Sequence, residues 1–180
     1  MGSFSLASWK KEANRRRKHA LTEGKSPVGV ERRHTNDLRF AEALSKVVKW
    51  CRKANIEVDF VSRSDGSYDP VGEIIVVGRQ LSYASQLFTL LHEVGHFLVN
   101  STEKHERFAH GYRNMDPSVA GTTINRLDIL EEEFEAWARG WFLGLHLNIL
   151  KKEDRPAFDK FRVNSLREYV KWCLKTEGVK

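Results

Sequence analysis

The residues best suited to chemistry lie at His92-Glu93-Val94-Gly95-His96, an HExxH pattern. On a helix, positions i and i+4 share a face. Two imidazoles placed so can hold one Zn2+ at ~2.0–2.1 Å each. Glu93 would then take a proton from metal-bound water, whose pKa the ion lowers toward ~7, and later pass it to a leaving amine. Taken bare, the pattern fixes only three positions, and the competing reading is a pair of surface histidines beside a solvated glutamate. Its context favours a metal. The motif sits in a helical apolar stripe, a β-branched run ends shortly before it, and an acid-rich helix follows.

A catalytic zinc needs a third protein ligand and one position left open. Glu131, Glu132, Glu133 and Glu135 are the candidates. The apolar face of their helix is expected to centre on Leu127, Phe134, Trp141 and Leu145. On that wheel Glu132 points largely away, Glu133 lies on one border, and Glu131 and Glu135 lie toward the other. Ala136 and Gly140, on the side of Glu133, would let a second helix approach closely, which favours Glu133 without closing the choice. The competing reading is a solvated acidic N-terminal half, stabilised by the helix dipole.

The elements that must position these groups follow from periodicity. Residues 36–54 read as an amphipathic helix capped by Asn36 or Asp37, with Leu38, Ala41, Leu44, Val47 and Cys51 inward. Ile56–Val61 alternates with period two and reads as a strand. Residues 64–70 read as a turn-rich loop, and Glu73–Val77 as a second strand ended by Gly78. Ser82 or Ser85 can cap the motif helix, whose stripe is Leu87, Leu90, Leu91, Val94, Phe97 and Leu98. A polar stretch from Asn100 to Asn125 is long for a structureless link. Helices over about 125–149 and 157–175 complete an α+β pattern: a small, mainly antiparallel sheet packed with several helices. His146 is expected to be a packed histidine, and Trp137 a wall beside the metal.

The chain has 180 residues, 41% hydrophobic and 30% charged, which fits one folded domain and excludes a fibrous or wholly disordered chain. No apolar run reaches membrane length, and the start MGSFSLASWK lacks the pattern of a secretory signal. A cytoplasmic protein with no membrane contact is expected. Cys51 and Cys173 form no CxxC, so a cysteine zinc site is excluded and two free thiols are the default. The net charge is +6, and Lys10–Lys18 carries six basic residues against one acid. Residues 10–18 are thus available for nucleic acid or an acidic partner, the competing reading being a solvated tail. We divide the chain into a basic N-terminal arm and linker, 1–35, and a folded domain, 36–180.

From about residue 73 to 145 the chain resembles the ImmA/IrrE family of zinc metallopeptidases, of the gluzincin class. The resemblance rests on the β-branched strand, the phrase Phe88-Thr89-Leu90-Leu91-His92-Glu93-Val94-Gly95-His96, and Glu133-Phe134-Glu135-Ala136 followed by Gly140. It departs where Trp137 stands in place of Asn or Asp, and where Gly144-Leu145-His146-Leu147 continues without a proline. The resemblance implies a minimal zincin-like core with His92, His96 and Glu133 as zinc ligands and Glu93 as the base. It also implies a cytoplasmic peptidase that cuts a regulatory protein, commonly a transcriptional repressor.

The expected function is therefore Glu-assisted attack of zinc-bound water on a peptide bond of a protein substrate. Strand 73–77, expected at a sheet edge, would take the substrate by strand addition. His105, His110, Tyr112 and Arg113 are candidate oxyanion donors, with His110 or Tyr112 preferred. The alternative is a non-catalytic zinc module whose basic arm contacts nucleic acid or a protein. Structural zinc sites usually close with four protein ligands, and no fourth is evident.

Overall fold

The computed structural model describes residues 27–102, 107–112 and 118–174, with side chains described from Asp37. The basic run 10–18, His105 and Arg113 lie outside the described residues. In chain order the elements are α1 (Pro27–Lys53), β1 (Glu57–Val61), β2 (Gly66–Asp69), β3 (Ile74–Gly78), α2 (Tyr83–Thr102), α3 (Thr123–His146) and α4 (Arg155–Cys173), with a 3-10 turn at Lys152–Asp154. The α+β expectation holds.

Helix α1 buries Ala41, Leu44, Val47 and Cys51, one side of a helical wheel. It starts at Pro27 rather than at the expected Asn36 or Asp37. It ends where Asn55 adopts a left-handed conformation (φ 61°) and the Ile56 N–H returns to the Cys51 carbonyl. Asparagine tolerates that geometry at a helix C-terminus.

The sheet has order β1-β3-β2. β3 pairs parallel with β1 and antiparallel with β2, so the sheet is mixed rather than mainly antiparallel. β3 is central, not an edge. It buries Ile75 and Val77 completely, as a β-branched run flanked on both sides should. The edge beside the motif helix is β2, Gly66-Ser67-Tyr68-Asp69, in the stretch expected to be a loop. Its composition carries no strand signal; pairing with β3 makes it one.

Helix α2 packs against the sheet, α1 and α3. Ser82 caps it, its hydroxyl accepting from the Ser85 N–H at 3.2 Å. Leu87, Leu90, Leu91 and Val94 are fully buried. Phe88 meets Phe40, Phe158 and Phe161 edge to face, tying α1 and α4 to the centre. Pro156 lies in the first turn of α4, where its missing N–H costs nothing.

The buried face of α3 is not the one that hydrophobicity favours. Leu127, Phe134 and Phe142 are about half or more exposed, while Ile129, Glu132, Glu133, Ala136, Gly140 and Gly144 are buried with Trp137 and Trp141. The reason is the tightness of the α2–α3 crossing. A Cβ on Gly95 would fall on the Ala136 carbonyl, and one on Gly140 on the Leu91 carbonyl. The backbones touch, so small residues hold the contact and larger apolar ones are displaced outward. His146 is exposed in the last turn of α3, not packed.

Candidate metal centre

The close crossing of α2 and α3 brings the motif onto the acidic helix. His92 and His96 share a face of α2, with ring centroids 4.7 Å apart. Opposite them stands Glu133, 1% exposed. His92 Nε2 lies 3.2 Å from Glu133 Oε2, and His96 Nε2 lies 3.4 Å from Oε1. One donor atom from each of the three lies within 4.8 Å of the others. A cation ~2.0–2.2 Å from each ligand needs donors roughly 3–4 Å apart, so the three fit. Glu133 Oε2 is buried and makes no hydrogen bond. An orphaned carboxylate oxygen between two imidazoles is costly unless something else takes it.

The surroundings fix the ring orientations. His96 Nδ1 lies 3.4 Å from Glu132 Oε1, which leaves Nε2 turned to the shared centre. Carboxylates commonly orient metal-binding histidines in this way. The sequence reading turned Glu132 away; in the fold it is 3% exposed, because the whole acidic turn is drawn under α2. His92 stacks on the Trp137 indole, 4.1 Å between centroids and 14° from parallel, so Trp137 does wall the site. Glu131 is exposed, and Glu135 turns outward to Arg139 and Arg107.

Glu93 points toward β2, where a Cβ on Gly66 would come within 3.1 Å of its Oε1. The same Cβ would fall on the Thr89 methyl, so glycine is what lets the strand lie this close to the motif helix. Burial raises the Glu93 pKa above its ordinary value, against the pull of both histidines. Glu133 moves the opposite way. Burial would raise it, but the His92 and His96 imidazoles facing it outweigh that and hold it below the usual carboxylate range. His96 is held up to about 10: burial works against its charge, and hydrogen bonds to Glu132 and Glu133 overcome it.

Of the two preferred oxyanion donors, the fold brings one to the centre. The Tyr112 hydroxyl donates to Glu133 Oε1 at 3.0 Å, and its ring meets His96 edge to face. His110 does not line the cleft; its backbone is spent on the N-terminal half of α3. Its N–H donates to Asp128 Oδ2 at 2.9 Å, and its carbonyl accepts from Asn125 Nδ2. Asn125, 1% exposed, thereby ties this loop to α3.

Tyr169 of α4 is a residue the sequence reading did not single out. It lines the same cleft as Tyr112 and Glu133. No local signal marks it. Burial, then the charge on Glu133, raises both phenols, so both remain protonated donors. The cleft has a volume of about 380 Å3, with β2 along one wall and both tyrosines on another. Among the described residues no helix is long and apolar enough to cross a membrane.

Residues 52–119 match the family model Peptidase_M78, described as the IrrE N-terminal-like domain, which bears out the resemblance to ImmA/IrrE proteins over that segment. The match covers the sheet and the HExxH helix and ends before α3, which carries Glu133. It points to a metallopeptidase type of function. No curated protein and no solved structure matches the chain.

Proposed function

We propose, from the premise that residues 52–119 are an ImmA/IrrE-like segment, that the chain is a zinc-dependent endopeptidase acting on a protein substrate. A DNA-binding regulator, such as a repressor, is the proposed substrate class, and the cytoplasm is the proposed compartment. The observation that carries the reading is the buried meeting of His92, His96 and Glu133, with Glu93 beside them in an open cleft.

A Zn2+ ion held by His92, His96 and Glu133 would supply Lewis-acid polarisation of the scissile carbonyl and a more acidic water. The protein's own groups do the rest. Glu93, raised by burial, is a better proton acceptor than a free carboxylate and a usable donor afterwards. It takes the proton of the attacking water and returns it to the leaving amine. Tyr112 and Tyr169, held protonated and lining the cleft, are the proposed hydrogen-bond donors to the oxyanion. The outer side of β2, the edge strand of the sheet among the described residues, is the proposed place for an extended peptide to add by main-chain hydrogen bonds. Three protein ligands leave one position for solvent or substrate, which favours catalysis over a closed structural site. Residues 10–18 are proposed as a contact for nucleic acid, read from the salt dependence of binding before and after deletion of residues 1–24.

The test combines zinc stoichiometry with co-expression of candidate repressors. Wild type should hold one zinc per chain and cut its substrate. Glu93→Gln should keep the zinc and lose cleavage by about 10²–10⁴-fold. A wild-type chain that takes up no stoichiometric zinc after loading ends the proposal. Zinc uptake with full activity in Glu93→Gln ends the mechanism.

A further inference from the structure

A second cavity opens on the far side of the two tyrosines. Its volume is about 350 Å3, and Tyr112, Ile129, Glu168, Tyr169 and Trp172 line it. Ile129 forms a buried floor, and Trp172 a wall whose ring lies 5.7 Å from the Arg126 guanidinium carbon. Glu168 is exposed at the rim. Apart from that carboxylate and the two phenol tips, which turn to Glu133, the lining is apolar.

Tyr112 is the junction. It lines this cavity, the metal cleft, and a third space of about 550 Å3 between β2 and the end of α2. A peptide laid along β2 thus reaches the metal cleft with an apolar hole one tyrosine away. Successive residues of an extended chain advance ~3.3 Å and alternate faces, so a residue next to the scissile bond can turn its side chain toward Tyr112.

Resting on the peptidase reading, we infer that this cavity is a specificity pocket. It takes one large apolar side chain, of the leucine, methionine or phenylalanine class, from a substrate residue adjoining the cleaved bond. Ile129 and Trp172 supply the contact, and Tyr112 with Tyr169 forms the border that the pocket shares with the metal cleft.

The probes are two short peptide hydroxamates, alike except for a leucine or a glycine side chain next to the chelating group. Both are titrated calorimetrically into the zinc-loaded full-length chain. The leucine compound should bind on the order of tenfold tighter, as burial of one such side chain supplies. Trp172→Ala, which removes a wall, and Ile129→Phe, which fills the hole, should each bring the pair within about twofold. Zinc content and circular dichroism should stay unchanged, and if one variant fails to fold the other decides. Equal affinity of the two probes for wild type overturns the pocket while the metal centre stands. A preference that survives in the folded variants does the same. Binding of neither probe at millimolar concentration overturns both the pocket and the peptidase reading.

Discussion

Two buried carboxylates, Asp154 and Glu133, are answered in different ways. Asp154, in the 3-10 turn before α4, is saturated. Its Oδ1 accepts from Arg39 Nη2 at 2.6 Å, and its Oδ2 from Arg39 Nη1 and the Lys151 N–H, both at 2.9 Å. That fork ties α1 to the turn and uses the planar geometry that arginine brings. Glu133 is buried more deeply, yet one of its oxygens has no hydrogen bond and both face imidazole nitrogens. Each group is held below the usual carboxylate range. A lowered pKa therefore does not distinguish a tie from a site. What distinguishes them is whether the partners can give the oxygen up to something else: a guanidinium has only protons to offer, whereas an imidazole can share an ion.

That contrast can be broken first at Glu133. Glu133→Gln should weaken zinc binding by about three orders of magnitude, as the loss of one of a few ligands that together supply ~10 kcal/mol or more. Competition with a zinc chelator measures it, and cleavage should fall with it. Unchanged zinc affinity would move the third ligand elsewhere.

The converse variant is Asp154→Ala. It should cost about 1–3 kcal/mol in urea unfolding, through the lost charged hydrogen bonds of a half-exposed Arg39. Zinc content per folded chain should not change. If zinc is lost, the two carboxylates are not separable as described.

The smallest effect is in pH. Burial would raise the Asp154 pKa, but the Arg39 hydrogen bonds overcome it and lower it from 3.8. A depressed pKa gives stability that is present above the unfolded value and lost as pH falls through the folded one. The gap in urea midpoint between wild type and Asp154→Asn should therefore be full near pH 6 and close as pH drops below about 3.8. A gap that does not change with pH would mean that packing, not charge, is what Asp154 supplies.

Much of the centre was legible along the chain because its geometry is local. His92 and His96 share a face by helical spacing alone. Glu133 could be favoured because Ala136 and Gly140 announce a close helix crossing. The strands at 57–61 and 74–78 and the helices were legible from period, although α1 begins well before its expected cap. Four features were not. β2 carries no alternation and exists because β3 offers it an edge. Its neighbour β3 is internal for the same reason. The burial of Glu132, against the hydrophobic wheel of α3, follows from the close approach of two helix backbones. Tyr169 is far from the motif in sequence and reaches it only through the packing of α4.

Sequence alone determined which chemistry was on offer: two imidazoles at a spacing that a helix turns into one face, with one carboxylate beside them and others on a later helix. Tertiary structure decided which acid meets them, which strand borders the cleft and which phenols guard it. Helical period acts over a few residues and can be read locally, whereas these choices depend on how closely backbones far apart in the chain can approach.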